Sequence, residues 1–228
     1  MKSIGILSFC EIISLLPEFF LIYALLSFLI YFTVLSYTPQ FQYQLFFRDA
    51  AYACVYIFFL TGVIYYNCKP GVIYYNFMPT LPTVFENILY KVFSLSLVLN
   101  YIKILVLFLA CFCIIISLYF FKKNYFNDIE YFALLILSII GCMFIISSGD
   151  LVLLFLSLEL QSMSLFVLVA INKCRILTTE ASLKFFVLGT LSSIFLGFGI
   201  FLFYYLLGSF IFYNIFALTK FFFFRKNI

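Results

Sequence analysis

Glu159 stands in an apolar run from Leu151 to Leu168 in which every other residue is uncharged. At 1.5 Å of rise per helical residue it lies about 13 Å beyond Asp150, near the middle of a ~30 Å hydrocarbon layer. An ionised carboxylate at that depth is unfavourable unless paired or hydrated, and such residues by default mark proton or ion paths. The alternative is a protonated Glu159, hydrogen-bonded to Ser157, Gln161 or Ser162, that only holds helices together. Lys184 follows Glu180 by four positions, one helical turn on the same face and in the favourable order for an ion pair. The residues from Phe185 to Thr219 are all uncharged, so Lys184 is the last charge before a long apolar stretch. It either works with Glu180 in proton transfer or snorkels to the surface. Lys103 has a similar place near the start of another apolar run, with the same two readings. Asp150 suits a turn and a helix cap.

Other chemistries are excluded or left without a signal. Histidine is absent, which removes the commonest metal and haem ligand and the usual proton carrier near neutral pH. Proton chemistry therefore falls to Lys, Glu and Asp. Cys10, Cys54, Cys68, Cys111, Cys113, Cys142 and Cys174 include no C-x-x-C pair and read as apolar filler. The 13 basic residues are scattered, so no nucleic-acid partner is implied.

These residues must be positioned by elements that suit lipid. Of 228 residues 67% are hydrophobic and 10% charged, too few polar groups to cover a water-exposed core. The expected fold is all-α, a polytopic transmembrane helix bundle of about six spans forming a single membrane domain over 1–228. The spans are expected at about 18–37, 50–68, 95–121, 130–148, 151–172 and 180–207, with an interfacial connection over 69–90. Pro17 and Glu18 suit a first helical turn, where proline loses no bonded amide and a carboxylate favours the dipole. Pro70, Pro79 and Pro82 fall in the interfacial connection. The hexapeptide Gly-Val-Ile-Tyr-Tyr-Asn occurs at 62–67 and again at 71–76, with tyrosines suited to an interfacial belt. Ser147 to Asp150 predicts a tight turn, and Thr178 or Thr179 a cap for the sixth helix. Gly189, Ser192, Ser193, Gly197 and Gly199 predict close helix approach. Lys and Arg divide almost evenly between the two faces, so charge bias does not orient the chain. With 35 Phe and 18 Tyr against 9 Gly and 5 Pro, the composition also suggests an A/T-rich organellar gene.

The segment from Glu130 to Ser209 resembles antiporter-like subunit 2 of the proton-pumping NADH:ubiquinone oxidoreductase, respiratory complex I. The similarity is carried by Ser147 to Leu151, by Phe155 to Ser162 around Glu159, by Thr179 to Gly189 around Glu180 and Lys184, and by Tyr205 to Ser209. The family's two charged elements stand at the separation that Glu159 and Glu180 have here. The resemblance implies a larger bundle of inverted repeats, in which Glu159 and Lys184 belong to a proton-transfer chain. Glu180 and Lys103 are further candidates. Where the family has proline after this Glu-Leu-x-Ser element, the chain has Met163 and Ser164.

The resemblance further implies a mitochondrial inner-membrane location, no cofactor in this chain, and other complex I membrane-arm subunits and membrane lipids as partners. A separate polypeptide is expected to carry the remaining helices of subunit 2, since the Phe-rich tail ending in Arg225 and Lys226 reads as a natural terminus. A purely structural membrane subunit and an independent cation/proton antiporter component remain alternatives.

Overall fold

The computed structural model describes residues 16–36, 43–67, 97–124, 130–172, 175–212 and 215. These form six helices: α1 (Leu16–Ser36), α2 (Tyr43–Asn67), α3 (Leu97–Asn124), α4 (Glu130–Ser147), α5 (Leu151–Val169) and α6 (Ile176–Leu207). The connection over 69–90, the second hexapeptide copy, and Cys10, Cys68 and Cys174 lie outside the described residues. Helices α2 to α6 are long and apolar enough to cross a membrane, whereas α1 is apolar over the shorter stretch Leu16–Tyr31. Among the described residues there is no strand beyond one antiparallel bridge between Asp150 and Ile211.

Helices satisfy their own backbone, which is why they are the form an apolar chain takes in lipid. Hydroxyls inside the helices follow the same economy, because they donate to carbonyls a turn back. Thr61 bonds the Phe58 carbonyl at 2.9 Å, Ser117 that of Ile114 at 2.7 Å and Ser147 that of Met143 at 2.8 Å. The core lies among the first four helices. Leu21 and Phe28 of α1, Phe58 of α2, Ile114 of α3 and Ile136 and Met143 of α4 are all buried in it. Helix α5 packs on α4, and α6 packs on α5 with no buried residue of its own.

Short connections make α3, α4, α5 and α6 successively antiparallel. The first turns of α1 and α3 meet the last turns of α2, so this end of the bundle is also where α4 ends and α5 begins. The chain turns there at Ser148 and Gly149, and the segment beyond α6 returns to it. Leu151 N–H donates to the Phe210 carbonyl at 3.1 Å, and Phe212 N–H to the Gly149 carbonyl at 3.2 Å.

Two local expectations are corrected. Asp150 occupies the N-cap position of α5, but its carboxylate accepts no capping bond. Helix α6 begins at Ile176, before Thr178 and Thr179, so neither caps it. The Thr178 hydroxyl instead donates back to the carbonyls of Asn172 at 2.5 Å and Arg175 at 2.7 Å. In the small-residue stretch of α6, a Cβ on Gly189 would collide with the Phe166 ring, which is the close approach expected there, whereas Gly199 faces open space.

Candidate functional site

Glu159 falls near the middle of α5 and is half-buried. The hydroxyls that were candidates to hold it are engaged elsewhere. Ser162 donates to the backbone carbonyl of Glu159 at 3.0 Å, and Ser157 to the Leu154 carbonyl at 2.9 Å. Among the described residues no cation stands within ion-pair distance of its carboxylate. Next to it, α4 and α5 approach closely because Gly141 has no side chain: a Cβ there would stand 3.0 Å from Gln161 Cβ and 3.1 Å from its backbone. Ser157 and Ser164 are buried on one face of α5 and Phe166 on the opposite face, against α6, and Leu160 packs against the core of the first four helices. One carboxylate near the middle of α5 is thus held on a helix seated between α4 and α6.

Glu180 and Lys184 pair within α6, with Lys184 Nζ donating to Glu180 Oε1 at 2.5 Å. Their side chains are 54% and 70% exposed, so within this chain the pair faces outward and does not reach Glu159. Phe185 and Phe186, the next residues, meet the Phe166 ring edge to face at 4.9 and 5.5 Å between centroids. That aromatic cluster and Gly189 fix α6 against α5.

Lys103 does not snorkel. Its Nζ donates to Glu18 Oε1 in an ion pair whose side chains are 1% and 3% exposed, joining α3 to α1. The Lys103 ammonium also stands 5.2 Å from the centre of the Tyr65 ring of α2. Sequence reading missed this role of Glu18, assigning it only to the first-turn dipole. The signal available was the like placement of Glu18 and Lys103, each within two turns of the start of a long apolar helix.

Asp150, between the spans, has one buried carboxylate oxygen without a hydrogen-bond partner among the described residues, as does the hydroxyl of Ser209. Burial raises the Asp150 carboxyl above the usual carboxylate range. Cys54, Cys111, Cys113 and Cys142 are free thiols. Among the described residues, no group of three or more Cys, Asp or Glu is placed to hold a metal ion.

Residues 148–227 match the family described as NADH:quinone oxidoreductase/Mrp antiporter, transmembrane. NADH-quinone oxidoreductase subunit N of Bartonella bacilliformis is 43% identical over 110 residues, covering 48% of this chain and 23% of the relative. NADH-ubiquinone oxidoreductase chain 2 of Marchantia polymorpha is 28% identical over 189 residues, covering 83% of this chain and 36% of the relative. Among solved structures, a chain of respiratory complex I from Thermus thermophilus matches with a TM-score of 0.60 at 18% identity. That match covers 86% of this chain and 38% of the other, a likeness of fold. The chain therefore spans about a quarter to two fifths of the length of these relatives. Glu159, Glu180 and Lys184 all fall in the matched segment, through which the chain is similar to the NADH:quinone oxidoreductase/Mrp antiporter family.

Proposed function

We propose that the chain is a membrane-arm subunit of a mitochondrial NADH:ubiquinone oxidoreductase and contributes to proton translocation coupled to quinone reduction. The observation that supports this most is Glu159, a carboxylate at mid-membrane depth inside the segment that matches the antiporter family. In this reading Glu159 and Lys184 take part in proton transfer, with Glu180 and Lys103 as further members, and redox chemistry belongs to other subunits. A conformational change driven by quinone reduction joins or separates Glu159 and a lysine partner. Separation removes the charge that favours the ionised carboxylate, so Glu159 takes up a proton; re-pairing releases it. Among the described residues no lysine is within ion-pair distance of Glu159, so pairing requires that rearrangement or a lysine from outside those residues.

The same reading places the chain in the inner membrane among other complex I membrane-arm subunits and lipids, with a separate polypeptide supplying further helices of subunit 2. The exposed α6 supports a helical cover on that side. Mass spectrometry of the native band tests this: co-migration with complex I subunits and a polypeptide carrying those helices is expected, and migration of the chain alone would overturn it. Glu159→Gln is expected to leave assembly intact and to lower proton pumping per NADH oxidised by tenfold or more. Unchanged pumping would favour a second reading, a bridging structural subunit, which the lack of a cation beside Glu159 among the described residues also suits.

A further inference from the structure

Glu18 and Lys103 lie outside the segment that matches the antiporter family, and they are the most deeply buried ionisable pair among the described residues. Packing gives no reason for charges at this point. An apolar pair of similar volume holds two helices together as well as a buried ion pair, and often better. The geometry also leaves the pair incomplete. Lys103 uses Glu18 Oε1, while Glu18 Oε2 is buried with no hydrogen-bond partner among the described residues. A carboxylate oxygen in that state is an open acceptor for a proton or for a water that delivers one.

Tyr65 makes such a proton tolerable. When Glu18 is neutral, Lys103 loses its counter-charge in a dry place, and the π face of Tyr65, 5.2 Å away and itself buried, continues to attract the ammonium. No other ion pair reaches either residue among the described residues. Helix α4, packed against both α1 and α3, carries Glu130 and Tyr131 in its first turn, at the far end of the bundle, and one thiol, Cys142. The pair thus stands near one end of the bundle, the Glu180–Lys184 pair near the other, and Glu159 between.

We propose that Glu18, Lys103 and Tyr65 form a proton-holding site separate from Glu159, at the end of the bundle where α1 and α3 begin. A proton binds at Glu18 Oε2, forming one O–H bond and leaving Lys103 as the ammonium; its departure restores the ion pair. The proposal deepens the proton-translocation reading, but its first test does not depend on that reading.

Infrared difference spectroscopy of the full chain in lipid membranes, stepped through pH, is expected to show a carboxylic-acid C=O band that appears on acidification. The band is lost in Glu18→Gln, kept in Glu159→Gln, and moved to lower pH in Tyr65→Leu but not in Tyr65→Phe. If Glu18→Gln does not accumulate, Glu18→Asp must shift the band's frequency. Absence of any band that responds to Glu18 overturns the proposal whether or not the chain belongs to complex I. In the native complex, Glu18→Gln and the double variant Glu18→Gln/Lys103→Met are both expected to lose pumping. Recovery of pumping in the double variant would show a structural clamp and overturn the proposal.

Discussion

The carboxylates of this chain differ more in surroundings than in chemistry. Among the described residues, Glu159 is half-buried with no cation in ion-pair reach, Glu180 is paired and exposed, Glu18 is paired and buried, and the Asp150 carboxylate makes no capping bond at the turn before α5. Asp150 gives a prediction in pH. Burial raises its carboxyl, so the folded turn favours the protonated form; its contribution is present below the ordinary carboxylate value and declines as pH rises through the raised one. Amide exchange at Leu151 and Phe212 is expected to speed up over that rise in the native chain and to be pH-flat in Asp150→Asn, after correction for intrinsic exchange. Equal profiles in both would remove Asp150 from the account. Residue identity carried much of this: the run around Glu159 and the spacing of Glu180 and Lys184 are visible in the sequence. The Glu18–Lys103 contact is not, because it joins residues 85 positions apart and depends on how three helices meet.

At the scale of elements, the sequence reads well where composition decides and poorly where backbone geometry does. Five helices long and apolar enough to cross follow from long apolar runs with at most a few charged residues. The start of α6 was misplaced because Thr178 looked like a cap, yet its hydroxyl is drawn to carbonyls behind it. Close helix approach is carried by single glycines. Gly141→Ala is expected to push α5 away at Gln161, and Gly189→Ala to force the Phe166 ring aside, each with a loss of about 1–3 kcal/mol, as overpacking generally gives. Unfolding in denaturing detergent checks both. Phe166→Leu added to Gly189→Ala should recover much of the loss, since it removes the ring that the new methyl meets, whereas no recovery would mean that backbone strain dominates.

For the whole molecule, burial is lopsided. The first four helices share a core, α5 borders it, and α6 exposes Phe, Leu and Ile along its length together with a Glu–Lys pair. An exposed ion pair on a spanning helix is poorly placed against lipid and better placed against polar protein. Lys184 is therefore expected to acylate readily with an amine reagent in the isolated chain and to be at least tenfold slower in the native assembly. Equal rates would mean that lipid or water, not protein, lies over that face.

The backbone bonds that tie Gly149 and Leu151 to the segment after α6 bear on how Glu159 can move. They tie the first turn of α5 to the segment beyond α6, so sliding or spinning this helix as a free rod requires breaking them. With both bonds kept, the tie is a pivot about 13 Å of helix rise from Glu159. A rearrangement that reaches Glu159 then swings the other arm, toward Val169, or brings a new neighbour to a helix that stays in place.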